Sequence, residues 1–185
     1  MSSLALNLGL KKNFFAGSSN NEKINNLIES VDKIFSHNYP FNYQQIYTKC
    51  HEICQSRHGK DLYETLEVYM INKINDIQIK LVNEKDNKPI FLRKFVEFYN
   101  FYREKILVIS DIFLYLEKNK DRMGEGMLSL KELYIKIFFD QIINSLKLKC
   151  EIINSLFRTL SDLRTNLSQD LDTYEQFIKI LVLNC

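Results

Sequence analysis

The chain has 185 residues, enough for one domain that buries roughly two thirds of its unfolded surface and too few to expect several. Twenty-five basic side chains against 23 acidic ones leave a formal net charge of +2, so no field of either sign recruits nucleic acid or an anionic membrane by charge alone. Five glycines, two prolines and no tryptophan supply few of the turn signals that many short strands need, and the predicted fold class is all-α, a bundle of about five to eight helices.

The opening segment, MSSLALNLGLKKNFFAGSS, carries a short apolar run that precedes its lysines, whereas a secretory signal places positive charge first. Residues 1–20 are expected to form a flexible N-terminal arm. The first helix is predicted over Asn21–Phe35, where Ile24, Leu27, Ile28, Val31, Ile34 and Phe35 share one stripe. His37–Pro40 ends it, because proline disfavours a helical conformation at Tyr39, and Asn42 is placed to cap the next helix. After a break at Gly59, a third helix is predicted from about Asp61 to Leu81, with Leu62, Leu66, Tyr69, Met70, Ile74, Ile77 and Leu81 inward, closed by the charged run Asn83–Pro89. Phe91–Lys118 follows, expected to bend near Arg103, and Asn119–Ser129 reads as a polar, glycine-containing loop. Periodicity returns through Leu133, Tyr134, Ile137, Phe138 and Ile142, then through Ile152, Leu156, Leu160 and Leu163, and a last segment covers Thr173–Leu183. The expected organisation is a helical domain over residues 21–163, with 164–185 as a C-terminal helix.

The longest nearly apolar run, Ile106–Leu116, is too short to span a bilayer and contains Ser110 and Asp111. Cys50, Cys54, Cys150 and Cys185 show no dense spacing of the secreted disulfide kind, and reduced thiols in the cytoplasm and nucleus are expected.

Two stretches, Asn42–Tyr63 and Phe91–Lys118, carry more apolar surface at helical spacing than one buried face needs. On a wheel of 100° per residue, Ile46, Ile53, Cys50, Tyr43, Cys54 and Tyr47 occupy an arc of roughly 120°, with His51 at its edge. The plain reading is that the whole arc is core. The edge formed by Tyr43, Tyr47 and His51 points elsewhere, because amphipathic rings are what interface cores favour over domain cores. Over Ile106–Lys118, an apolar stripe of Val108, Ile109, Ile112, Phe113 and Leu116 lies beside a mixed stripe of Leu107, Ser110, Asp111, Leu114 and Lys118, with Tyr115 between them. The mixed stripe is either a solvated face with two stray leucines or a recognition face.

Catalytic, cofactor-binding and metal-binding patterns are not found. The glycines form no phosphate loop or dinucleotide fingerprint, and no GxSxG elbow or HExxH pair occurs. Cys50, Cys54 and His58 fall at i, i+4 and i+8, but three turns of one helix cannot wrap a tetrahedral ion, and a Cys50–His51 nucleophile pair would point about 100° apart. No cofactor is expected, and the chain reads as a non-enzyme.

Asn42–Tyr63 followed by IFLYLEK, Ile112–Lys118, resembles the N-terminal repeat of the cullins, the scaffolds of modular ubiquitin ligases. That family places an LY pair in its second helix, another LY opening its third and an IFxYLDR-like motif in its fifth; Ile46-Tyr47, Leu62-Tyr63 and Ile112–Lys118 stand in those places here. LSLKELYIKIFFDQII, Leu128–Ile143, resembles the segment that follows, and the resemblance covers roughly Asn21–Leu163. The resemblance implies a cullin-repeat fold and a non-catalytic role in ubiquitin-dependent protein catabolism. It also implies adaptor contact on the second and fifth helices, through Tyr43, Tyr47, Cys50, His51, Cys54, Leu107, Asp111, Leu114, Tyr115 and Lys118. FNYQQIY, the FLRK of Phe91–Lys94 and the MLS of Met127–Ser129 are similar to the class that binds the propeller-type damaged-DNA-binding adaptor, whereas HGKDLY, His58–Tyr63, is similar to the class that binds BTB-type adaptors. In the propeller class an arm ahead of the first helix enters a propeller cavity, and Leu4–Phe15 is similar to it in position and composition.

A full cullin continues to a globular C-terminal region that recruits the RING subunit, so that subunit is not an expected partner of this stretch. Either an excised piece or a short relative competing with full scaffolds would fit. The alternative from another class is a helical structural or tethering protein that self-associates through the same stripes.

Overall fold

The computed structural model describes residues 19–36, 42–84, 88–119, 124, 126–146, 148–165 and 171–183, and among these no strand occurs. Residues 1–18 of the expected N-terminal arm, the extended Tyr39 and much of the Asn119–Ser129 loop lie outside the described residues, while Ser19 and Asn20, assigned to the arm, are helical.

Helix α1, Ser19–Phe35, begins two residues before its predicted start and buries Ile24, Leu27, Val31, Ile34 and Phe35. Helix α2, Tyr43–Gln55, starts where its cap requires: Asn42 is extended, and its Oδ1 accepts from the Gln45 N–H at 3.1 Å, satisfying one of the orphan donors of the first turn.

The end of α2 departs from the predicted break at Gly59. The left-handed residue is Arg57, at φ 67°, and its N–H donates to the Cys54 carbonyl while that of His58 donates to Ile53. This is the Schellman arrangement, with arginine in the position that usually holds glycine. Gly59 instead opens helix α3, Gly59–Glu84, and is itself buried.

Helices α3 and α4, Lys88–Ile112, form the spine. They run antiparallel, as the pairs across them show: Lys94 Nζ lies 2.5 Å from Glu84 Oε1, Lys80 sits 5.7 Å over the Phe98 ring, and Tyr69 and Tyr102 flank Phe35 of α1 at 5.8 and 5.2 Å. Asp32 of α1 ties into the same pair, accepting from Tyr69 Oη at 2.8 Å and pairing with Lys73 Nζ at 2.7 Å. Burial and the Asp32 carboxylate together push the Tyr69 hydroxyl far above its usual range.

The bend expected near Arg103 is absent. Helix α4 passes through that residue, since no proline or glycine between Phe91 and Lys118 frees a backbone group there. The break comes at Phe113, whose backbone (φ −92°, ψ 20°) sets off the short helix α5, Leu114–Lys118.

Helix α6, Leu130–Phe138, is fixed by a capping box between Ser129 and Glu132, and the Glu117 carboxylate of α5 accepts from the Leu130 N–H at 3.0 Å. The run predicted through Ile142 does not stay α-helical: Phe139–Ile143 forms a π turn, whose Gln141 carbonyl accepts from Gln78 Nε2 of α3 at 2.5 Å. Leu148, just ahead of α7, Lys149–Thr165, is buried, as are Ile152 and Ser155 within that helix. Leu160, predicted inward, is exposed together with Ile153 and Phe157, because the π turn is the main partner of α7 and covers only one side of it; the Leu163 side chain lies outside the described residues. Helix α8, Leu171–Leu183, returns to α4, where Phe177 and Ile180 are buried. Phe95 stands edge-on to Phe138 at 5.8 Å and to Phe177 at 5.3 Å, so one α4 ring joins three elements.

Two outcomes follow from these junctions. Arg57→Gly should stabilise the fold by about 0.5 kcal/mol, the left-handed strain it relieves slightly exceeding the chain entropy glycine adds; urea denaturation reads the sign. Asp32, held below its ordinary value of 3.8 by the Lys73 hydrogen bond and, less strongly, by Tyr69, contributes stability that is present above that value and lost as pH falls through its folded pKa. Thermal melts from pH 5 downward should therefore separate Asp32→Asn from the parent at pH 5 and bring the two together at the acid end.

Candidate protein-binding face

Helix α2 packs on α1, α3, α4 and α5, and its inner side chains Ile46, Cys50 and Ile53 set its rotation. With those three inward, the remainder of the 120° arc turns outward. Tyr43 is 51% exposed and Tyr47 40%, while His51 and Cys54 are half-buried beside them. Neither tyrosine ring is enclosed by the bundle.

Cys50 is the correction. At 0% exposure it belongs to the core and cannot touch a partner, because the rotation that frees Tyr47 buries the residue three positions on. The neighbouring Cys54 thiol one turn along, together with burial, holds the Cys50 thiol far above the ordinary range. The nearness of Cys50 pulls the Cys54 thiol down, against its own partial burial.

The second strip comes from the end of α4 and from α5. Ile106, Ile109, Ile112, Phe113 and Leu116 are buried, and Val108 is half-buried against them. On the outer side, Leu107 is 39% exposed, Leu114 45%, and Asp111 and Lys118 are exposed. Ser110 is half-buried, with its hydroxyl turned inward. Four of the five mixed-stripe residues thus remain accessible at positions i, i+4, i+7 and i+11.

The two strips meet. The His51 ring stands edge-on to Tyr115 of α5, with centroids 4.3 Å apart, and Gln55 Nε2 lies 3.3 Å from His51 Nε2 on the outer side. Tyr115 is half-buried by this contact. The structure therefore unites nine of the ten expected residues on adjoining outer surfaces of α2, α4 and α5, with Cys50 beneath them. The sequence reading missed the His51–Tyr115 seam, for which one-dimensional spacing carries no signal. It also missed the role of Glu117: the acidic member of IFLYLEK faces the start of α6 as a helix cap.

Two other chemistries can be weighed on the same residues. His58 falls past the end of α2, and its Nδ1 pairs with Asp61 at 2.7 Å. Among the described residues no group of three or more His, Cys, Asp or Glu side chains is placed to hold a metal ion, and no helix is long and apolar enough to cross a membrane.

The family model of the cullin alpha solenoid domain matches residues 24–184. No curated protein matches the chain.

The division of α2 into inner and outer sides sets a stability contrast. Tyr43→Ala and Tyr47→Ala should each leave folding stability within about 0.5 kcal/mol of the parent, whereas Ile53→Ala should cost about 2–5 kcal/mol. Urea unfolding of the three variants checks this, and large losses at the tyrosines would assign their rings to the core.

Proposed function

The chain belongs to the cullin family, and on that premise we propose that it is a non-catalytic scaffold segment that docks a substrate-receptor adaptor of a ubiquitin ligase on the α2/α4–α5 face. A cullin domain is a scaffold fold, generally without catalytic chemistry of its own, and it works by holding other proteins. The observation that carries the reading is the exposure of Tyr43 and Tyr47 beside Leu107 and Leu114. Tyr43 and Tyr47 lie on α2 and Leu114 on α5, the second and fifth helices on which the sequence resemblance puts adaptor contact, while Leu107 lies at the end of α4; two of the four side chains are aromatic anchors of the kind that fill partner pockets.

The parts of the face divide by energy. Tyr43 and Tyr47 supply area at low entropic cost, with two rotatable bonds each before the ring, and His51 and Tyr115 stiffen the centre by their edge-on contact. Leu107 and Leu114 extend the apolar ground. Asp111 and Lys118, of opposite sign and solvent-exposed, act on orientation and choice of partner more than on affinity, since exposed charges gain little from pairing. The near-neutral chain fits an adaptor recognised by shape and aromatic anchors.

Of the two adaptor classes, the propeller type is the one proposed. FNYQQIY, FLRK and MLS support it, with Tyr43 and Tyr47 of the first motif on the exposed face itself. HGKDLY, the segment similar to the BTB class, occupies the α2–α3 junction, where Gly59, Leu62 and Tyr63 are buried and Tyr63 is bonded to the Leu128 carbonyl at 3.0 Å, so these three act within the bundle.

Immobilised propeller-type damaged-DNA-binding adaptor should capture the chain, and Tyr43→Ala with Tyr47→Ala should weaken capture by at least about thirtyfold, the equivalent of roughly 2 kcal/mol at an anchor, while circular dichroism stays unchanged. Capture by a BTB-type adaptor alone would reassign the class. Size-exclusion chromatography with light scattering gives the other arm: a tight homodimer indifferent to both adaptors would overturn the scaffold reading in favour of self-association.

A further inference from the structure

Helix α7 carries side chains for two opposite surfaces. Ile152 and Ser155 are buried on the side held by the π turn. On a wheel of 100° per residue, Cys150, Ile153, Leu160 and Arg164 all fall within about 60° of Phe157 on the far side. These five are exposed, Phe157 most of all at 66%, and among the described residues no element lies over them.

The outer stripe has two unlike margins. Ile153 and Leu160 lie to one side of Phe157 on the wheel, Asn154 and Ser161 to the other, and each pair straddles Phe157 along the axis. Cys150 and Arg164 stand seven positions before and seven after it. In an antiparallel pair with a two-fold axis at Phe157, like margins fall on the same side of the seam. Ile153 then meets Leu160 of the second copy and Asn154 meets its Ser161, apolar on apolar and polar on polar. The two Phe157 rings meet at the axis, and Arg164 faces the uncharged Cys150. A parallel pair crosses the margins, setting Ile153 and Leu160 against Asn154 and Ser161, and brings Arg164 against Arg164, like charge on like. The stripe therefore complements itself in one orientation, which is what an isologous contact requires.

We propose that the outer side of α7 is a self-association surface, on which two copies of this chain pair antiparallel through Ile153, Phe157 and Leu160. The stripe from Cys150 to Arg164 runs about 21 Å along the helix. One helix–helix contact of that length covers roughly a few hundred Å² on each copy, short of the about 800 Å² per partner of a standard stable interface, so the dimer forms with rising concentration and is not tight. The tyrosine face lies on other helices and stays open, and on the docking reading such a dimer presents two adaptor sites.

Sedimentation velocity of the whole chain between about 5 and 200 µM should show monomer passing into dimer, the range expected of so small a contact. Phe157→Asp, or the milder Phe157→Ser, should keep the chain monomeric throughout while circular dichroism and adaptor capture stay unchanged, and Tyr43→Ala with Tyr47→Ala should leave the dimer intact. For orientation, oxidation of an Arg164→Cys chain at dimer concentration should link position 164 of one copy to Cys150 of the other, mapped by peptide mass. The parent should give no Cys150–Cys150 bond, since the antiparallel pair holds those residues about 21 Å apart. A monomer at every concentration would overturn the inference and leave the stripe to a different polypeptide; a dimer that survives both Phe157 changes, or a Cys150–Cys150 link in the parent, would overturn it too. Loss of capture with the dimer intact would count against the docking reading alone, whereas a dimer lost with the tyrosines and kept without Phe157 would put self-association on the α2 face and overturn both.

Discussion

Ile46, Cys50 and Ile53 fix the rotation of α2 about its own axis, and most of what is distinctive about this molecule follows from that constraint. Three side chains at i, i+4 and i+7 are enough to bury one face. The apolar arc of α2 is wider than that face, so once the inner three are seated the bundle has nothing left to lay over Tyr43 and Tyr47. The exposure is built into the helix and does not depend on a loop or a side-chain rearrangement. A partner would meet a surface whose backbone is already ordered, which lowers the entropic cost of association.

The second strip is positioned by a different device. Because α4 runs unbroken past Arg103 and yields only at Phe113, Leu107 and Asp111 sit on the helix that forms the spine of the domain, and Leu114 follows at the start of α5. That helix meets α1, α2, α3, α5, α6 and α8, and through Phe95 its interior ring set joins Phe138 and Phe177. Any displacement of the outer strip would have to move this aromatic cluster, and close-packed interiors resist such movement. The Glu117 cap on α6 pins the far end of α5 in the same way. The His51–Tyr115 contact then needs no adjustable part, since each ring is delivered by a helix whose placement is settled elsewhere.

How far these features were legible in the sequence depends on whether one helix alone determines them. The α1 stripe and the Asn42 cap are properties of single segments, and periodicity with capping chemistry located both within about two residues. The width of the arc on α2 was equally visible, and with it the expectation that part would remain uncovered. What spacing could not supply was the rotation: Cys50 and Cys54 sit 40° apart on a wheel of 100° per residue, and only the neighbours of α2 decide that the first is buried and the second half-exposed. The bend assigned to Arg103, the break assigned to Gly59 and the inward Leu160 failed for a related reason. A polar residue inside an apolar run does not interrupt a helix, Arg57 accepts the left-handed conformation because the Schellman bonds compensate for it, and Leu160 has the right period but lacks an element opposite it.

That last case separates two kinds of uncovered surface on one molecule. The α7 stripe of Ile153, Phe157 and Leu160 contains no ring with a polar end, and it lies on a helix held mainly by the π turn. Plain apolar stripes of this kind are what stacked units of a solenoid share, where the contact is permanent and never meets water. The α2/α5 face is built otherwise. Its rings carry hydroxyl or imidazole groups, its margins hold Asp111, Lys118 and Gln55, and a half-exposed thiol lies on its line. Such a surface tolerates water when empty and still offers area when filled, as a contact that forms and dissolves must. Composition alone would rank the α7 stripe as the stickier of the two. The chemistry at the tips of the side chains is what favours α2 and α5 over α7 in the proposal of a reversibly docking face.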